Sequence, residues 1–141
     1  MKLVLDASMT LAWLFERPTK NEVSCANRVL QALPDSETYV PTLWHTEITN
    51  ALLVGERRKV ITEAQVIDYL NKLAHLPIMT DETSVIERRE IVMALAREHA
   101  LTTYDATYLD LALRNGATLA TFDMKLANAM RHAGGMVYGD A

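Results

Sequence analysis

The sequence has a single cysteine, Cys25, in 141 residues. One thiol excludes an intrachain disulfide and a cysteine-based zinc site, and it fits a reducing compartment. Proline and glycine are scarce, at four and five residues. No stretch concentrates them with serine and no block of like charge marks a tail, so the expectation is one domain over residues 1–141. Internal repeats are absent, and no run approaches the roughly 18 apolar residues that a membrane helix needs. The apolar opening from Met1 to Phe15 is broken by Asp6 and lacks a small-residue cleavage site, which argues against a secretory signal. A soluble, cytoplasmic protein with no membrane contact is expected. Positive charge is also short, with 14 Lys and Arg against 18 Asp and Glu, a net charge of −4. That speaks against a sequence-blind grip on nucleic acid, unless the acids gather in a pocket whose bound cations invert the local field. The four histidines, His45, His75, His99 and His132, stand on separate segments without zinc-ligand spacing.

What is present is an alternation of short apolar runs and amphipathic stretches. Lys2–Asp6, Thr38–Val40 and Ala117–Thr121 read as strands, the last after the helix-stopping pair Asn115-Gly116, and Met136–Tyr138 as a further one. Helical periodicity covers Leu11–Phe15, Val23–Leu33, Trp44–Arg58, Glu63–His75, Val85–Glu98, Thr103–Asn115 and Met124–Ala133. Thr62 with Gln65, and Ser84 with Glu87, have capping-box spacing. Short strands separated by helices predict an α/β three-layer sandwich, a central mainly parallel sheet flanked by helices. Ligands of such sheets bind beyond the carboxyl ends of the strands.

Four acids fall at that edge. Asp6 ends the first strand and Asp123 follows the strand ending near Thr121, while Glu47 and Asp105 are read in the first turns of their helices. Taken singly, each has a structural explanation. Asp6 and Asp123 suit N-caps, Glu47 suits the positive end of a helix, and Asp105 stands three after Thr102 in near capping-box spacing. Taken together, clustered carboxylates repel unless protons or cations relieve them. Oxygen-only ligation suits Mg²⁺ or Mn²⁺, the ions of phosphodiester hydrolysis. Asp110, five positions after Asp105, points about 140° away round the helix and is left out of the group.

These segments resemble the PIN-domain nucleases, and within them the VapC-type toxins of prokaryotic toxin–antitoxin pairs. The resemblance rests on Leu3-Val-Leu-Asp-Ala-Ser8, Pro41-Thr-Leu-Trp-His-Thr-Glu-Ile-Thr-Asn-Ala51, Tyr104-Asp-Ala-Thr-Tyr-Leu-Asp-Leu-Ala112 and Leu119-Ala-Thr-Phe-Asp-Met-Lys-Leu126, in order, followed by Ala133-Gly134. It implies that Asp6, Glu47, Asp105 and Asp123 form an acidic Mg²⁺ site, with Mn²⁺ able to substitute. It assigns supporting roles to Thr121, Ser8 and Asn50. It further implies endonucleolytic hydrolysis of RNA by a metal-activated water, homodimerisation, and a small antitoxin that blocks the site. Lys125, two after Asp123, is the candidate phosphate contact, whereas Arg57-Arg58-Lys59 reads as a solvated helix end. Trp13, Trp44 and the methionines read as core or protein interface. Two other functions compete. An apolar strand ending in Asp also opens phosphatases of the haloacid-dehalogenase type, but these place a second Asp where this chain has Ser8. The other is a catalytically silent partner-binding module whose acids are only caps.

Overall fold

The computed structural model describes residues 1–140. Four strands, β1 (Lys2–Leu5), β2 (Glu37–Val40), β3 (Ile78–Thr80) and β4 (Thr118–Ala120), form one sheet in the order β3-β2-β1-β4. All three pairings are parallel; Leu3 lies between Thr38 and Thr118, and Leu5 faces Ala120. Seven α-helices flank the sheet: α1 (Ala7–Leu11), α2 (Lys20–Ala32), α3 (Thr42–Arg57), α4 (Glu63–Ala74), α5 (Val85–His99), α6 (Thr103–Asn115) and α7 (Met124–His132). The expected sandwich is the observed one. β1 is central, and Leu3, Val4 and Leu5 are wholly buried, as suits a strand covered by helices on both faces.

Several boundaries differ from the sequence reading, each for a local reason. The first helix is not Leu11–Phe15 but Ala7–Leu11, because Asp6 caps it directly off the strand and accepts the Met9 N–H at 2.9 Å. Leu11–Phe15 is instead the turn after the helix, closed by Phe15 N–H donating to the Leu11 carbonyl at 2.8 Å. α3 begins at Thr42, behind Pro41, so Glu47 stands in its second turn and gains nothing from the first-turn dipole. β3 was not expected; three residues after Pro77 are too few to display a period, and the strand lies at the sheet edge. Met136–Tyr138 is not a strand but a single parallel bridge, Leu119 to Val137. Thr62 and Gln65 form the full capping box, while Ser84 caps only the Ile86 N–H. A second box, Thr19 with Glu22, opens α2 three residues before the apolar period begins.

Candidate active site

Parallel pairing of β1 with β4 brings together residues 115 positions apart. Asp6, the first residue past β1, is 5% exposed. Its Oδ1 accepts the Ser8 hydroxyl at 2.7 Å and the Met9 N–H at 2.9 Å, and its Oδ2 accepts the Thr121 hydroxyl. Both hydroxyls continue into the loop between β4 and α7: Ser8 Oγ accepts the Phe122 N–H and Thr121 Oγ1 the Asp123 N–H, each at 2.9 Å. Three donors occupy about three of the four lone-pair positions of the carboxylate. Burial pushes the Asp6 carboxyl from 3.8 up to about 6; the bonds from Thr121, Met9 and Ser8 oppose that rise and the charge of Asp123 adds to it.

The backbone under Asp6 is braced as well. The buried Thr10 hydroxyl donates to the Asp6 carbonyl at 3.0 Å and accepts the Trp44 indole N–H at 3.1 Å, while the Tyr69 hydroxyl donates to the Thr10 carbonyl at 2.5 Å. α3 and α4 thereby fix the one short helix that starts at the site. Trp44 is 3% exposed and so belongs to the core.

Asp123 is the N-cap of α7, its Oδ1 accepting the Leu126 N–H at 2.9 Å. A cap consumes one oxygen and leaves the other facing outward chemistry, so capping and ligation are compatible. Asp105 lies in the first turn of α6, where its N–H donates to Thr102 at 3.1 Å. Its carboxylate has no hydrogen-bond donor among the described residues. Burial raises its proton affinity, the negative charges of Asp123 and Glu47 raise it further, and Lys125 lowers it. Glu47 reaches in from the second turn of α3, half-buried, and its Oε1 accepts the Tyr108 hydroxyl at 2.5 Å. Mutual electrostatic coupling therefore links Asp6 with Asp123, and Asp105 with both Asp123 and Glu47.

A family model described as PIN domain matches residues 3–131. The chain belongs to the PIN-domain family. This PIN domain is 33% identical over 127 residues to Ribonuclease VapC3 of Pyrobaculum aerophilum, a match spanning 90% of this chain and 93% of the relative. Among solved structures it is similar to PAE2754 from Pyrobaculum aerophilum, with a TM-score of 0.65 at 22% identity over 92% of this chain and 84% of that one. It is also similar to FitAcB from Neisseria gonorrhoeae, with a TM-score of 0.64 at 15% identity over 97% of this chain and 96% of that one. These two likenesses concern the fold.

The donor set of this PIN domain suits a hard divalent cation: oxygen only, negatively charged, and self-repelling without a counterion. No group of three or more Asp, Glu, His or Cys side chains among the described residues is gathered closely enough to hold a metal ion as it stands. Mg²⁺, which retains several waters, needs only one or two carboxylates.

Of the other residues singled out from sequence, Ser8 and Thr121 touch Asp6 directly. Lys125 is exposed and close enough to lower the proton affinity of Asp105. Asn50 is exposed and makes no side-chain hydrogen bond to the group, so the PIN domain does not join it to the network. Asp110 is buried at the opposite side of α6, clamped by Arg88 at 2.6 Å and Arg114 at 3.2 Å, with Arg114 also holding Asp81 at 2.9 Å. Sequence reasoning missed Tyr108 and Thr10. Tyr108 carried one usable signal, its position three residues after Asp105 on the same face of α6.

Proposed function

We propose that this PIN domain is the toxin of a toxin–antitoxin pair and a divalent-metal-dependent endoribonuclease that hydrolyses RNA with water, leaving a 5′-phosphate and a 3′-hydroxyl. The observation that carries the reading is the chain of electrostatic neighbours beyond the carboxyl end of the sheet, Asp6 with Asp123 and Asp105 with Asp123 and Glu47, with Lys125 as the cation felt by Asp105. The name of the relative, Ribonuclease VapC3, supports RNA as the substrate. Asp6, Glu47, Asp105 and Asp123 would hold Mg²⁺, or Mn²⁺ in its place, which when bound lowers the proton affinity of water and stabilises the departing oxygen.

The chain's own groups supply the rest. Ser8, Thr121 and the Met9 N–H keep the Asp6 carboxylate in one orientation, which removes the need to reorganise it during reaction. Asp105, unengaged by any donor, is the acid best suited to accept a hydrogen bond from the attacking water. Lys125 meets a phosphate oxygen of the strand. A protein partner is supported by exposed apolar side chains on α5 and α6. Val85, Met93 and Tyr104 are 69%, 46% and 61% exposed and line a groove of about 530 Å³ between α3, α5 and α6. Such a surface is unusual on a protein that acts alone, and it suits an antitoxin segment or a second copy in a homodimer. No helix among the described residues is long and apolar enough to cross a membrane.

The test is cleavage of total cellular RNA by purified protein with Mg²⁺ or Mn²⁺, beside EDTA and Asp123→Asn controls, followed by end-mapping. Discrete cuts lost in both controls support the reading. Intact RNA in the presence of folded, metal-bound protein overturns it in favour of a silent binding module.

A further inference from the structure

Resting on the ribonuclease reading above, we infer that Tyr108 is a positioning residue that fixes the Glu47 carboxylate against Asp105 of α6, so that the site's affinity for a divalent cation depends on a phenol that does not touch the ion. The four acids are not held equally. Asp6 accepts three donors and Asp123 caps a helix. Glu47 is the longest of the four and has the most rotatable bonds, yet it has one hydrogen-bond partner among the described residues, the Tyr108 hydroxyl at 2.5 Å. Without that bond no other hydrogen bond among the described residues restrains the carboxylate, and ordering it falls to the incoming ion, which weakens binding.

The phenol is well suited to the task. Tyr108 is 1% exposed and part of the main core, so its oxygen is carried on a ring that has no freedom to follow a wandering glutamate. It shares a face of α6 with Asp105 three residues earlier. The hydrogen bond thus sets Glu47 relative to Asp105 as well as to α6. Burial first, and then the surrounding carboxylates, keep the hydroxyl protonated, so it remains a donor to Glu47. A lysine or arginine at this point would also orient Glu47, but it would cancel part of the negative charge that draws a cation. Tyr108 orients without neutralising. The bond engages Oε1 and leaves Oε2 without a protein donor.

The experiment is Mn²⁺ titration of RNA-free wild-type protein, Tyr108→Phe, Glu47→Ala and the double variant, followed by calorimetry or electron paramagnetic resonance. Loss of a residue that orients a ligand weakens metal binding by about 10- to 100-fold, and that loss is expected for Tyr108→Phe. In the Glu47→Ala background the same substitution is expected to change nothing, because its target is gone; a merely structural tyrosine would cost affinity in both backgrounds. Glu47→Asp leaves the core untouched and draws the acid back by one methylene from the phenol, and its affinity should be no better than that of Tyr108→Phe. The inference is overturned if wild type binds Mn²⁺ and Tyr108→Phe binds it equally, if the loss persists undiminished without Glu47, or if Glu47→Asp matches wild type. A wild-type protein that binds no Mn²⁺ removes the metal-dependent reading itself, and this inference with it.

Discussion

Asp6 combines two demands that pull in opposite directions. Its carboxylate is buried beside another acid, which penalises its charge, and it is fixed by three donors, which favour that charge; burial wins, and the carboxyl lies near 6 in place of 3.8. A carboxyl whose proton affinity is raised by folding stabilises the native state most below the unfolded value. That contribution fades as pH rises through the folded value. The metal-free protein should therefore lose stability between pH 4 and pH 7 through this residue, by up to about 3 kcal/mol. Asp6→Asn removes the titrating group while keeping an acceptor for the Met9 N–H. Thermal denaturation at pH 7 without metal should show the variant equal to or above wild type, and added Mg²⁺ should raise the midpoint of wild type alone. A variant less stable than wild type at pH 7 but not at pH 4 would contradict this account. The same residue decides the biological readout. Cells producing the wild-type chain without an antitoxin should stop growing, whereas cells making equal amounts of Asp6→Asn should not. Equal toxicity of the two would exclude nuclease action through this acid.

At the scale of elements, the helices that were legible in the sequence are those with punctuation. Asn115-Gly116 ends α6 as read, with Gly116 at φ +59° and the Ala117 N–H donating to the Ala112 carbonyl at 2.9 Å. A side chain at Gly116 would meet no atom within 4 Å, so Gly116→Ala tests backbone strain alone. It should cost about 1 kcal/mol, measurable by urea denaturation, and leave RNA cleavage intact. The elements that escaped were those with too few residues to show a period, α1 and β3, and the start of α3, hidden behind a proline that caps without a side-chain bond. At the site Asp6 and Asp123 were readable because charge just past a strand end is conspicuous. Ser8 and Thr121 came only from the family resemblance. Tyr108 and Thr10 were not readable, since a tyrosine or threonine among alanines and leucines has the same sequence appearance whether its hydroxyl is idle or binds a carboxylate 61 residues away.

For the whole molecule, the ion pairs follow a division between one end of α6 and its far side. Asp105 is left without donors at the site, while Asp110 is surrounded by Arg88 and Arg114, which tie α5 and, through Asp81, the end of β3 to α6. Asp110→Ala would strand the Arg88 guanidinium and leave Arg114 with Asp81 alone, both arginine side chains being about three-quarters buried. The expected loss is about 2–3 kcal/mol, at the low end for a buried pair because the arginines retain some contact with water. Denaturation should register that loss with metal affinity unchanged; a fall in metal affinity at full stability would mean that the network governs the site. Sequence reasoning rightly kept Asp110 out of the acidic group by helical geometry, but nothing in the sequence named its two arginines, which lie 22 residues before it and one turn after it.

The adjacency of β1 and β4 also bears on when the site is completed during synthesis. Asp6 leaves the ribosome well ahead of its hydroxyl partner Thr121 and its neighbour Asp123, which follow more than a hundred residues later. Until β4 is made and docks beside β1, Asp123 is missing from the acidic group and Asp6 lacks the Thr121 hydroxyl. A ribosome translating this chain thus carries an incomplete site until β4 pairs with β1, and that last pairing of the sheet is the step that assembles it.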